Sequence, residues 1–133
     1  MRVLDANFLI DYLNGDPDTE AYYEANGADE QLWVMPAPAH AEALVGVGNH
    51  PRGDVDRAIE ALSWGEVYDV DGDLSVAAAR IADEIGPQGP YLDGVDALVA
   101  AVGRELDARV VSADSDLTHE ATREIVDVDE YRN

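Results

Sequence analysis

The chain has 133 residues, 47% of them hydrophobic, so it is long enough to bury a core, and we predict one domain over residues 1–133. The absence of cysteine excludes disulfides, thiol nucleophiles and cysteine-ligated zinc. Twenty-nine acidic residues face eight arginines and no lysine, which gives a formal net charge of −21.

Strands and helices alternate in the predicted secondary structure. The first half predicts, in chain order, a strand at 1–5, helices at 8–13 and 16–26, a strand at 32–35, and helices at 39–47 and 54–62. The second half predicts a strand at 67–70, helices at 74–85 and 95–106, and strands at 109–112 and 125–128. This alternation is typical of an α/β domain with a mainly parallel sheet, in which ligands bind beyond the carboxyl ends of the strands.

The acidic excess has an explanation that involves no functional site. In molar salt the Debye length is only about 3 Å, so repulsion between the many carboxylates is screened. The composition resembles that of proteins from salt-accumulating archaea, and we expect a halophilic protein. No apolar run approaches the roughly 18 residues of a membrane span and no signal peptide is evident, so we also expect a cytoplasmic protein that does not bind membranes.

Polar residues follow two of the predicted strands directly. Asp5 ends the first strand, and Asp114 and Asp116 come just after the strand that ends at Ser112. Each acid has a structural alternative, because Asp is also favoured as the cap of a following helix or turn. Asn7 can orient the Asp5 carboxylate or act as a cap itself, and Ser112 can donate a hydrogen bond to a carboxylate or to metal-bound water.

Two further acids lie in helices that are otherwise apolar. Glu42 is surrounded by alanine, leucine and valine, so a buried position would require a partner for its charge. The alternative is that Glu42 faces water. Asp96 begins a helix with no other polar side chain before Arg104. It also stands three residues after Asp93, which is a natural helix cap, so it can alternatively complete a capping box.

Carboxylates that meet in one cleft repel each other unless a cation neutralises them. Ligands that are all oxygen select Mg²⁺ or Mn²⁺ rather than zinc. Such an ion polarises a phosphoryl oxygen and supplies a hydroxide nucleophile near neutral pH. If Asp5, Glu42, Asp96 and Asp114 converge, they therefore predict a site for metal-assisted phosphoryl transfer, with Asp116 in support.

Four ordered motifs resemble those of the PIN-domain ribonucleases, and among these the short VapC-type toxins of toxin–antitoxin pairs. In chain order they are Val-Leu-Asp-Ala-Asn-Phe-Leu-Ile-Asp-Tyr-Leu, Ala-Glu-Ala-Leu-Val-Gly, Asp-Ala-Leu-Val-Ala-Ala-Val and Val-Val-Ser-Ala-Asp-Ser-Asp-Leu. Two positions depart from the family pattern. Ser112 stands where threonine is usual and keeps the hydroxyl, and Leu117 stands where phenylalanine is usual, which affects packing more than chemistry.

The resemblance implies a three-layer α/β/α fold with a sheet of about five strands, a homodimer, and Mg²⁺- or Mn²⁺-dependent endonucleolytic cleavage of RNA. It also implies a cognate antitoxin protein that occludes the active site. Asp5 and Asp96 correspond to the principal metal ligands. Glu42 and Asp114 complete the ligand set directly or through water and help to deprotonate the attacking water. Supporting residues are Asn7, Ser112 and Asp116.

Other classes with acidic α/β sites fit less well. A response-regulator receiver domain needs a lysine late in the chain, and the chain has none. An aspartyl-phosphate phosphatase needs a second acid two residues after its nucleophile, where Asn7 stands. Two PIN-domain alternatives remain open, namely an RNA-processing nuclease outside a toxin pair and a catalytically silent module that binds RNA or protein.

A net charge of −21 opposes RNA binding, because affinity for nucleic acids normally comes from basic side chains. We therefore expect a small and local basic patch, with Arg2 or Arg109 as candidate members. A cleft with no arginine nearby would count against direct RNA cleavage by the isolated protein.

Overall fold

The structure is a computed structural model, and it describes residues 1–132. Its strands in this range are β1 (Arg2–Leu4), β2 (Trp33–Pro36), β3 (Glu66–Tyr68), β4 (Arg109–Ser112) and β5 (Val128–Glu130). The helices in the same range are α1 (Ala6–Leu13), α2 (Pro17–Ala25), α3 (Ala37–Asn49), α4 (Val55–Ala61), α5 (Gly72–Ile85), α6 (Gly94–Glu105) and α7 (Glu120–Arg123). A short 3-10 helix spans Ala28–Glu30. None of the helices in residues 1–132 is long and apolar enough to cross a membrane.

The five strands described in residues 1–132 form one parallel sheet in the order β3-β2-β1-β4-β5. The chain runs from β1 outward to β3 and then returns to place β4 on the other side of β1, so the strand order reverses between β1 and β4. Leu4 lies opposite Val111 across this reversal. The residues that follow β1 and β4 therefore share one edge of the sheet. The predicted α/β fold with a five-stranded parallel sheet is confirmed.

The two central strands carry the core. Every residue of these strands after the leading arginine is buried, as expected when helices cover both faces of a parallel sheet. Helix α6 packs closely against β4, because a Cβ atom at Gly103 would lie only 2.5 Å from Cγ2 of Val110. This close approach seats α6 on the sheet. Gly103 is near the end of α6 and Val110 is near the beginning of β4, so the helix runs back along the strand and its start lies toward the residues that follow β1 and β4.

The predicted boundaries differ from the structure by one to three residues at most elements, and three of these differences concern the sheet and the prolines beside it. The strand predicted at 125–128 is wrong in position, because the backbone N–H groups of Ile125 and Val126 donate to the carbonyl of Thr122 and end α7 as a turn. Pairing with β4 starts only at Val128. The strand predicted at 67–70 occupies Glu66–Tyr68 instead.

The third difference concerns the prolines after β2. Pro36 remains in the strand, opposite Tyr68. Pro38 lies in the first turn of α3, which begins at Ala37 rather than at residue 39. Proline is tolerated there because the first N–H groups of a helix have no partner within it. The 3-10 helix and α7 are the elements that the sequence pattern did not predict.

Candidate active site

Asp5 is the most deeply placed acid of the candidate site, with only 1% of its surface exposed. It caps α1, since its Oδ1 accepts a hydrogen bond of 2.8 Å from the N–H of Phe8. Its Oδ2 accepts a hydrogen bond from the hydroxyl of Ser112. Burial raises the pKa of Asp5 to about 6 against the effect of these two bonds, and the charge of Asp114 adds to the rise. The cap predicted as an alternative is thus present, and it holds the carboxylate at the reversal of strand order.

The loop after β4 connects Asp114 to Asp5. The N–H of Asp114 donates to the hydroxyl oxygen of Ser112 at 2.9 Å, and this hydroxyl donates in turn to Asp5. The Asp114 side chain uses Oδ2 to accept from the N–H groups of Asp116 and Leu117, each at 3.0 Å. Asp114 therefore serves as the cap of its own turn, while its Oδ1 takes no part in these two bonds. Ser112 has the carboxylate contact that its position predicted.

Asp96 lies in the first turn of α6 and is half-buried. Asp93 caps this helix, its Oδ1 accepting from the N–H of Asp96 at 2.8 Å, so the structural role expected for Asp93 is observed. The pKa of Asp96 is raised to about 7. The rise comes first from burial and then from four negative charges, those of Asp114, Asp93, Asp5 and Glu42. Asp96 thus lies within electrostatic reach of every acid in the predicted ligand set.

The remaining candidates are exposed or half-buried. Glu42 is exposed on α3, so its environment is the solvent-facing alternative rather than a buried one. Asn7 is exposed in the first turn of α1, and the groups that hold the Asp5 carboxylate are the Phe8 N–H and the Ser112 hydroxyl instead. Asp116 is half-buried in the turn after β4.

The metal site can be tested on the chemistry of these donors. All are carboxylates, and two of them are so poorly hydrated that their pKa values rise to about 6 and 7, which is the setting that a hard divalent cation neutralises. The donors fit such an ion in kind. In residues 1–132, however, no three Asp, Glu or His side chains lie close enough together to hold an ion as they stand. Binding would thus need side-chain movement or bridging water.

The sequence matches the PIN domain family over residues 2–122, which is most of the chain and includes the predicted site acids. The chain belongs to the PIN domain family. A comparison with curated protein sequences finds no match.

Solved structures share the fold of this PIN domain at low sequence identity. A toxin–antitoxin complex from Klebsiella pneumoniae matches with a TM-score of 0.79 and 17% identity, covering 100% of this chain and 99% of the other. VapBC2 from Rickettsia felis, bound to a promoter DNA fragment, matches with a TM-score of 0.79 and 16% identity over 97% of each chain. FitAcB from Neisseria gonorrhoeae matches with a TM-score of 0.74 and 19% identity over 96% of each chain.

Two arginines of this PIN domain were candidates for a basic patch. Arg2 and Arg109 are neighbours in register, but they stand at the amino ends of β1 and β4, opposite the end that carries Asp5. Arg109 forms an ion pair with Asp129. Within residues 1–132 no arginine forms an ion pair with any of the five predicted site acids. Arg2 and Arg109 are therefore neighbours, as a small local basic patch would require, but they lie at the end of the sheet opposite Asp5.

The segment after β5 contacts the helix that begins at the PIN-domain site, which the sequence pattern did not predict. The Tyr131 ring meets the Phe8 ring edge-on at 4.9 Å, and its hydroxyl donates to Asp11. Arg132 bridges Asp11 and Asp16, at 2.6 Å from each. These contacts attach the segment after β5 to the helix that Asp5 caps. In the sequence, the one sign of this attachment is the presence of Tyr131 and Arg132. Their partner Asp11 is more than a hundred residues away, so the sequence does not reveal it.

Proposed function

We propose that this PIN domain is a divalent-metal-dependent endoribonuclease, with Asp5, Glu42, Asp96 and Asp114 as its catalytic acids. The observation that supports this best is the link from Asp5 through Ser112 to Asp114, built at the point where the strand order reverses. Ligand sites of open parallel sheets occur at this point. A carboxylate with 1% exposure destabilises the fold when charged unless hydrogen bonds and a cation compensate for its lost hydration.

The proposed ion is Mg²⁺, with Mn²⁺ as a substitute. Asp5 and Asp96 would be its principal ligands, and Glu42 and Asp114 would complete the set directly or through water. When bound, such an ion polarises a phosphoryl oxygen and lowers the pKa of a bound water. Phe8 and Ser112 keep the Asp5 carboxylate in one orientation, so its position does not depend on the ligand.

We assign proton transfer to Glu42 and Asp114. Glu42 is exposed, so its carboxylate oxygens are accessible to water. Asp114 keeps Oδ1 outside the bonds of its turn and can accept a proton there. Asn7 and Asp116 are supporting residues in this proposal.

The chain has a net charge of −21, and no arginine of residues 1–132 forms an ion pair with the site acids, which counts against RNA binding through basic side chains at the site. The metal and the shape of the substrate would supply the affinity. Molar salt suppresses the repulsion of RNA phosphates by the protein, so we propose that the enzyme works in a halophilic cytoplasm.

The test is cleavage of RNA in molar KCl with added Mg²⁺ or Mn²⁺, in which wild type is compared with Asp96→Asn. The matched control is Asp83→Asn, which removes one negative charge from an exposed position of α5. We expect cleavage by wild type and by the control, and a loss of at least a hundredfold in Asp96→Asn, in the range of losses for a removed catalytic contact. Equal cleavage by Asp96→Asn and wild type would contradict the proposed nuclease function of this site.

We also propose that the enzyme is the toxin of a type II toxin–antitoxin pair, that it forms a homodimer, and that residues 1–133 make up one PIN domain. The fold likeness to proteins solved as toxin–antitoxin complexes supports the first point. A neighbouring gene for a small DNA-binding protein whose product co-purifies with this chain and inhibits it would favour a toxin. An active chain without such a partner would favour the alternative of an RNA-processing nuclease, and an inactive one a binding module.

A further inference from the structure

A half-open pocket with aromatic walls lies between α1, α2 and the turn that follows α4. It encloses about 250 Å³ and is lined by Tyr12, Tyr23, Trp64, Glu20 and Glu24. None of these residues belongs to the proposed active site. The two glutamates are exposed on α2 and are four residues apart, so they lie side by side on one face of the helix.

The rings of this pocket form a corner rather than a stack. The Trp64 ring meets the Tyr12 ring at 70° with the centroids 5.1 Å apart, and it meets the Tyr23 ring at 69° with the centroids 5.4 Å apart. Behind them, Trp33 stacks on Tyr23 at 5.2 Å and is itself buried. Ring faces attract cations, and the adjacent carboxylates add opposite charge. The rings and carboxylates together therefore favour binding of a positively charged group.

The same chain shows what such a combination binds. Arg132 lies over the Tyr131 ring, 5.7 Å from its centroid, and bridges the carboxylates of Asp11 and Asp16. A ring face and two acids thus hold one guanidinium there. In the pocket on α2 the ring walls and the two acids are present, but no arginine of residues 1–132 lies over Tyr12, Tyr23 or Trp64.

We propose that this pocket binds an arginine side chain presented by a partner polypeptide. A planar guanidinium can stack on a ring while its N–H groups reach both Glu20 and Glu24, which a compact ammonium does less well. Two copies of this chain that met at this pocket would bring their glutamates together, so charge complementarity at this face favours a basic partner. This proposal does not depend on nuclease activity.

The experiment is an NMR titration of the full chain with N-acetyl-arginine amide, at a KCl concentration that keeps the protein folded. The signal followed is the indole N–H of Trp64, assigned with Trp64→Phe. N-acetyl-citrulline amide is the neutral probe of the same shape, and N-acetyl-lysine amide and tetramethylammonium are the competing cations. Glu20→Gln combined with Glu24→Gln tests the acids, and Glu124→Gln is a control at an exposed position of another surface.

We expect saturable binding of the arginine probe, with citrulline at least about fivefold weaker and the double variant weaker by roughly three- to tenfold, as for a loss of cation–π and ion-pair contacts. The control should bind as wild type does. Equal binding of citrulline, an unchanged affinity in the double variant, or a Trp64 signal that does not move would each overturn the proposal. Tighter binding of lysine amide or tetramethylammonium would overturn the choice of arginine.

Discussion

The hydroxyl of Ser112 is expected to stabilise the metal-free protein by an amount that depends on pH. Ser112→Ala removes the donor to the buried Oδ2 of Asp5 and the acceptor of the Asp114 N–H. A hydrogen bond to a charged group contributes roughly 1.5–3 kcal/mol and a neutral one about 1 kcal/mol. We therefore expect the free energy of unfolding at pH 8 to fall by about 2–4 kcal/mol.

The pH dependence follows from the pKa of Asp5. It is raised to about 6 in the folded protein even though the Ser112 bond lowers it, so removal of that bond raises it further. A raised carboxyl pKa stabilises the fold relatively at low pH and loses that effect as the pH rises through the folded value. The cost of Ser112→Ala should accordingly be smaller at pH 5, about 1–2 kcal/mol, because a protonated Asp5 needs the hydroxyl less.

The assay is urea unfolding of the metal-free protein in constant KCl at pH 5 and pH 8. Ser112→Thr keeps the hydroxyl and should lose less than half as much stability as Ser112→Ala. Ser115→Ala, at an exposed position of the same loop, should stay within about 0.5 kcal/mol of wild type. The reasoning is refuted if Ser112→Ala costs the same at both pH values, or if the threonine variant is as unstable as the alanine variant.

Three further outcomes are expected. In EDTA, Asp96→Asn should raise the melting temperature at pH 8 but not at pH 4. The pKa of Asp96 in the folded protein is about 7, so its charged form destabilises the fold at pH 8, whereas at pH 4 the carboxyl is protonated and carries no charge. An equal shift of the melting temperature at both pH values would contradict this. Added Mg²⁺ should raise the melting temperature of wild type at pH 8 and progressively less toward pH 5, as protons occupy Asp5 and Asp96 with pKa values of about 6 and 7; calorimetry with Asp96→Asn as a control checks that the ion acts there. Gly103→Ala should destabilise the fold by about 1–3 kcal/mol, because its Cβ would lie 2.5 Å from Val110, whereas Gly94→Ala meets nothing within 4 Å and should be close to neutral in urea unfolding.

The fold class followed from local patterns in the sequence. Apolar runs of strand length alternate with helical spacing, and most helices begin at a residue whose side chain caps them, as Asp5, Asp54, Asp71 and Asp93 do in the structure. These patterns depend on neighbours a few residues apart, so the sequence shows them directly. The prediction failed for the last strand, because backbone bonds to Thr122, not the apolar pattern, decide where β5 begins.

The candidate site was likewise only partly predictable from the sequence. That Asp5 and Asp114 follow strands and that Ser112 can donate to a carboxylate was visible in the sequence. Which partner Ser112 takes was not, because Asp5 is 107 residues away and comes within reach only when β4 pairs with β1. The same pairing brings Arg2 and Arg109 together at the opposite end of the sheet from Asp5, which the sequence does not show.

The sequence by itself determined the alternation of elements, the acids that end strands, and the family resemblance through four short motifs. Only the tertiary structure decided burial, and with it which of the twenty-nine acids has an unusual environment. Asp5 is enclosed and Glu42 faces solvent, although both stand among apolar neighbours in the chain. The physical reason is that the desolvation of a carboxylate depends on the helices and strands packed around it, most of which are distant in sequence.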